Sequence, residues 1–451
     1  MTRPTRFVLL VLLCLAPTML CAQTPPAKVP SPDPQAAAYR NQALDLKAAK
    51  DYVGAIAQFQ RAYALDKTAH RKDAATDLNG IGFCYYRLSQ YDKAADFFQQ
   101  AWPLFQQVGD TEDEAGALSN IGDSYKAMGQ YPKALDSYQR ALLIQQKLGD
   151  KAREAVTLKN IGLCYDSQSR YDKALGFYQQ ALPLLREAGN KADEATTLNN
   201  IGGDYFHLNQ TAKALDFYQQ ALPLQQQFGD KAGVAATLYN IGAAYYKLDQ
   251  YDKALEFHQQ ALPLLRETGN RADEAMTLNS IGLTYDNLSQ PAKALEFYQQ
   301  ALPIQRKLGD KVTEAATLYN IGADYVDLSQ YDKALDSYQQ ALPLLRGAGN
   351  KADEAMTLNS VGMVYSESDR PAKALEFYQQ ALSLQRQIGD KAGEAAALNN
   401  IGAAYYKLDQ YAKALDFLQQ ALLIQQKLGD HAREEHTLKS IEAIKAKQAA
   451  P

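Results

Sequence analysis

An asparagine returns in step along most of this 451-residue chain. Asn120, Asn160, Asn200, Asn240, Asn320 and Asn400 stand in one column of a 40-residue period, and Ser280 and Ser360 fill its two remaining places. An amide side chain carries donors and an acceptor. It can therefore hold the N–H and C=O of an extended peptide whatever side chains that peptide has. If successive copies stack at about 10 Å, as packed helices do, each step matches about three residues of extended chain. The chemistry on offer is peptide contact, with Tyr239, Tyr246, Lys247, Tyr319, Tyr406 and Lys407 as side-chain readers. The other readings are an amide bonded to a neighbouring helix, or one carried along by duplication, beside ordinary surface tyrosines and solvated lysines.

Other chemistries find no constellation. Of five histidines, His258 takes a packing position otherwise held by tyrosine, so it reads as core. His431 and His436 are five apart, the wrong spacing for one helix face and for a metal site. There is no Gly-rich phosphate loop, no H-E-x-x-H and no G-x-S-x-G. Cys84 and Cys164 occupy equivalent positions two copies apart, roughly 20 Å in a stack. A disulfide needs Cα atoms within about 7 Å, so both read as small buried residues. No catalytic residue, metal or cofactor is expected. With 47 Lys+Arg against 51 Asp+Glu and no basic block, no nucleic-acid partner is expected either.

The elements that must position these residues follow from periodicity. Leu198, Ile201, Gly202, Tyr205 and Leu208 form one helical stripe, and Ala214, Leu215, Tyr218, Ala221 and Leu222 a second, with "NQ" between them. Each copy is thus two helices, A and B, and stacking buries what neither can bury alone. Glycine recurs at 82, 122, 162, 202, 242, 282, 322, 362 and 402. It costs about 1 kcal/mol against alanine inside a helix, which predicts close helix–helix contact. "GD" and "GN" predict a glycine C-cap followed by an Asp or Asn N-cap. Pro183, Pro223, Pro263, Pro303 and Pro343 fall inside helix B and are expected to bend it. Pro291 and Pro371 fall at helix starts, where proline is tolerated.

The order Leu-x-x-Ile-Gly-x-x-Tyr, then Tyr-x-x-Ala-x-x-x-Tyr-x-x-Ala, resembles a tetratricopeptide repeat. The usual period is 34; the longer form here resembles kinesin light chain, the spindle-orientation adaptors and the arrays that precede CHAT protease domains. The resemblance implies an all-α, right-handed superhelical solenoid of about ten antiparallel helix pairs plus a C-terminal capping helix. It also implies that the asparagine face of helix A lines a concave groove, and that the related adaptors hold peptides there. Helix B is nearly constant ("KALEFYQQALPL"), whereas the residues one, four and five after the glycine vary most. The first copy is degenerate, with Ala43 in the glycine's place. In the last segment Glu442 replaces the glycine, as a polar cap requires.

Four segments result. Residues 1–22 read as a signal peptide, basic "MTRPTR" before 14 mostly apolar residues and "LCA", cleaved after Ala22. Residues 23–34 are a proline-rich linker, 35–430 the array, and 431–451 the capping helix and tail. The expectation is a periplasmic or secreted, non-enzymatic scaffold, not inserted in a membrane after cleavage, that binds an extended peptide or partner protein in its groove. Two alternatives stay open: a sensor subunit acting in trans on a CHAT-type protease or other signalling system, and a structural spacer or envelope assembly factor.

Overall fold

The computed structural model describes residues 33–449. The expected leader and nearly all of the expected linker lie outside them, as do Cys14 and Cys21. Pro34, the last linker residue, is the first residue of helix α1 (Pro34–Ala48), which Asp33 caps with its carboxylate. Among the described residues there are 21 helices and no strand, from α1 to α21 (His431–Ala449). Odd-numbered helices are the A helices and even-numbered ones the B helices.

Local chemistry sets each boundary. The glycines before the N-caps take the left-handed conformation, as at Gly149 (φ 70°). Asp150 then accepts from the Arg153 N–H, capping α7 (Lys151–Asp166). The turn inside most pairs uses a short polar residue in the same conformation, such as Asn209 (φ 58°) or Asp249 (φ 57°), with Lys50 and Gly129 there in the first and third pairs; Asn and Asp tolerate this position better than most residues. Pro291 and Pro371 open α14 (Pro291–Leu308) and α18 (Pro371–Ile388). Pro183, Pro223, Pro263, Pro303 and Pro343 lie inside B helices that run on past them.

The core explains the glycine column. A Cβ at Gly162 would lie 2.5 Å from the Tyr178 ring, and Tyr178 has no exposed surface. The same fit recurs at Gly202, Gly282, Gly322 and Gly362. Outside it, a tyrosine of helix A stacks on a phenylalanine of helix B, as Tyr165 does on Phe177 at 5.4 Å, and a lysine of helix B lies over the same ring.

The described chain forms two compact units, one ending at Ala244 and one beginning at Tyr245. The boundary falls within α11 (Lys231–Lys247). In the second unit, α21 packs on α20 (Tyr411–Leu428). It buries Ile441 and Ile444 and leaves Glu442 and Lys445 exposed, the polar outer face expected of a cap.

Candidate functional site

The asparagine column lies between neighbouring A helices. Asn120 donates its amide to Asn79 Oδ1 at 3.2 Å, Asn240 to Asn199 at 3.3 Å and Asn400 to Asn359 at 3.0 Å. Asn199 Oδ1 also accepts from the Thr237 hydroxyl at 2.9 Å, a contact repeated between Asn279 and Thr317 and between Asn399 and Thr437. Asn160 turns instead to Asp123 and Lys126, each at 3.3 Å. Asn240 and Asn320 are 1% exposed. These amides knit helix to helix.

Asn200 differs. It is 3% exposed and neither amide atom has a hydrogen-bond partner. The three places from which its counterparts draw partners hold Lys159, which pairs with Asp193, Leu163, which is apolar, and Asp166, where Asn160 has the donor Lys126.

The expected readers divide in two. Tyr239 and Tyr319, expected to meet a ligand, are interior residues at 0% and 1% exposure. Tyr319 packs on Tyr338 and shares a hydrogen bond with Ser360 at 3.2 Å. A tyrosine at this place leaves room for only a small serine in the asparagine column, which accounts for Ser360. Tyr246 and Tyr406 are half-buried at the ends of their A helices, and Lys247 and Lys407 are exposed beside them. Both pairs belong to a seven-residue stretch, "YYKLDQY", that occurs identically at 245–251 and 405–411. Lys407 donates to the Ser366 carbonyl at 2.7 Å. Desolvation lowers the pKa of Lys247.

Three constellations escaped the sequence reading. In the first pair, the buried Arg40 guanidinium meets Asp66, Asp77 (2.7 Å) and Asp73 (3.4 Å). One cation faces three carboxylates, and burial lifts Asp77 to about 7 despite Arg40. In the first unit, the buried Asp204 carboxyl has no hydrogen-bond partner and lies under the negative charge of Asp166 and Asp172. At the rim of the A helices, cationic groups and histidine lie over tyrosines of the preceding B helix: Arg87 over Tyr52, His207 on Tyr171 and Lys447 over Tyr411. Column-by-column comparison could have flagged Asp204, since Cys, Ser, Thr, Val or Ala holds that place in most other copies. The thiols behave as expected: Cys84 and Cys164 are free and buried, and burial pushes both up to about 12. No helix among the described residues is long and apolar enough to cross a membrane.

Comparison with known proteins places these observations. A tetratricopeptide-repeat model matches residues 34–107, 113–187, 233–307 and 313–387, and two further models of the same description match 195–227 and 395–428. No curated protein matches in sequence. A signal-transduction ATPase of the STAND class with a tetratricopeptide-repeat sensor, from Pyrococcus horikoshii, is 16% identical with TM-score 0.62 over 81% of this chain. The present chain spans about half of it (55%). The apo quorum sensor NprR from B. thuringiensis is 17% identical (TM-score 0.53; 69% of this chain, 87% of that one). Apo RapI is 16% identical (TM-score 0.50; 61% and 99%). At these identities the likeness is one of fold.

Proposed function

Because the chain belongs to the tetratricopeptide-repeat family, we propose that it is an exported, non-enzymatic scaffold that binds a partner protein or extended peptide along the exposed ends of its A helices. One observation carries this reading. The buried parts of the copies are nearly constant, while the exposed residue five after each packing glycine changes charge and size: Arg87, His207, Asn287, Glu367 and Lys407. A packing role gives no reason for that variation, whereas recognition does. The polar grip shifts from the asparagine column to Tyr246, Lys247, Tyr406 and Lys407, since most of the asparagines are engaged by neighbouring helices.

The test replaces these four residues with alanine and compares capture from cell-envelope extract. The variant is expected to keep its helical content, to melt somewhat lower because Tyr246 and Tyr406 pack against buried clusters, and to lose at least about tenfold of the wild type's specific partner, roughly 1.4 kcal/mol. An unchanged set of captured proteins refutes the site. Export has its own check. N-terminal sequencing of the protein recovered outside the cytoplasm is expected to begin at Gln23, and a chain that retains Met1 and stays in the cytoplasm overturns that part of the reading.

A sensor role is the second reading. The neighbours from P. horikoshii and B. thuringiensis are described as carrying or being sensors, and the fold is shared. Ligand-dependent association with an effector chain would separate it from a passive scaffold.

A further inference from the structure

The two copies of "YYKLDQY" build the same cluster in two surroundings. At 405–411, Tyr406 and Tyr411 lie 5.7 Å apart between ring centroids, and the Tyr411 hydroxyl donates to Asp409 at 2.5 Å. The Lys447 ammonium, from α21, sits 5.0 Å from the Tyr406 centroid, 5.3 Å from that of Tyr411 and 4.0 Å from Asp409. Tyr411, and then Tyr406, raise the pKa of that ammonium. At 245–251 the geometry repeats. Tyr246 and Tyr251 lie 5.6 Å apart and the Tyr251 hydroxyl donates to Asp249 at 2.7 Å. The place of Lys447, 160 residues earlier, is held by Asn287, which is neutral and donates to Tyr246 Oη at 2.7 Å.

The chain therefore shows what this cluster accepts. Two electron-rich ring faces and a carboxylate attract a compact cation that can also donate hydrogen bonds. The neighbouring lysines do not forbid it. Lys407 and Lys413 flank the cluster that holds Lys447, as Lys247 and Lys253 flank the other. Arg87 over Tyr52 at 5.6 Å repeats the preference elsewhere on the rim.

We propose that Tyr246, Asp249 and Tyr251 form a recognition site for a primary alkylammonium group, the side chain of a lysine on the bound partner. Lys447 occupies the sister site in cis. The inference deepens the binding role given to the A-helix ends and rests on it for its biological meaning. Its test uses a small probe, so the two can fail separately.

The full chain, with labelled tyrosine rings, is titrated with N-acetyl-lysine amide and with N-acetyl-norleucine amide, and NMR follows Tyr246 and Tyr251. The lysine probe is expected to shift both rings saturably, with affinity at least about fivefold above the norleucine probe, the upper range for an exposed cation–π contact. Asn287→Lys supplies the cation internally and is expected to abolish that difference. Lys447→Asn is expected to make Tyr406 and Tyr411 respond to the same probe. Equal response to both probes, or lysine binding that survives Asn287→Lys, overturns the site. If that happens while the alanine variants still lose their partner, the cage falls and the binding face stands.

Discussion

At pH 8.5, Asp204→Asn is expected to melt at a higher temperature than the wild type, and the gap is expected to close as pH falls toward 5. Asp204 lies on α9 (Lys191–His207), two residues after the packing glycine, and is 1% exposed. Asp166, at the end of α7, and Asp172, on α8 (Tyr171–Glu187), both press negative charge on its carboxyl. A buried carboxyl beside other carboxylates keeps its proton to a higher pH. Burial, and then Asp166, accordingly push Asp204 up to about 9. An unfolded aspartate titrates near 3.9, so between about 4 and 9 the folded chain holds a proton that the unfolded chain has released. Stability is fully present below the lower value and declines as pH rises to the upper one, by at most about 1.4 kcal/mol per pH unit. Asparagine keeps the shape and stays neutral at every pH. Thermal melts of both proteins at pH 5, 7 and 8.5 check this, and a gap independent of pH would falsify the retained proton.

Gly282→Ala is expected to destabilise its neighbourhood by about 2 kcal/mol. The new Cβ would meet Tyr298 ring carbons at 2.5 and 2.8 Å. That ring cannot swing aside cheaply. It is fully buried, and its hydroxyl donates to Asp286 at 2.6 Å. Overpacking costs about 1–3 kcal/mol, more than the gain of up to about 1 kcal/mol from removing a helical glycine. Two comparisons isolate the cause. At Gly402 the facing group is the Leu418 side chain, a branched aliphatic in place of a ring, so Gly402→Ala should cost less. At Gly176 nothing lies within 4 Å, so alanine there should stabilise by up to about 1 kcal/mol. Because repeats contact chiefly their neighbours, hydrogen exchange in the Gly282 variant should quicken around α13 (Arg271–Asn287) and α14 and leave distant pairs unchanged. Equal melting of the three variants would refute the ring-contact account.

The helix pairs, their caps and the cap helix were legible because each rests on a local rule repeated many times. Gly202 opposite Tyr218, Gly149 before Asp150 and Ile441 beside Glu442 each announce their environment by residue type and spacing. The asparagine column was legible in position but ambiguous in partner. Helical periodicity gives the direction of Asn240 but not that Asn199 of the preceding A helix lies 3.3 Å away. Tyr239 and Tyr319 were harder, since a tyrosine body packs in a core as readily as its hydroxyl meets water. The contacts of Arg40 and the meeting of Asp204 with Asp166 were not legible, although Asp204 stands out in its column, because each joins residues more than 25 apart and its worth depends on burial.

The inter-layer bonds have a consequence for how so repetitive a chain avoids folding onto the wrong neighbour. Near-identical adjacent segments invite mispairing, and here the mating residues differ: asparagine meets asparagine between 199 and 240 and between 359 and 400, while tyrosine meets serine between 319 and 360. A slip of one repeat would press a tyrosine against an asparagine and leave a serine short of its partner. Such keyed joints would penalise misaligned intermediates while sparing the correct order, a proofreading written into the seams between copies.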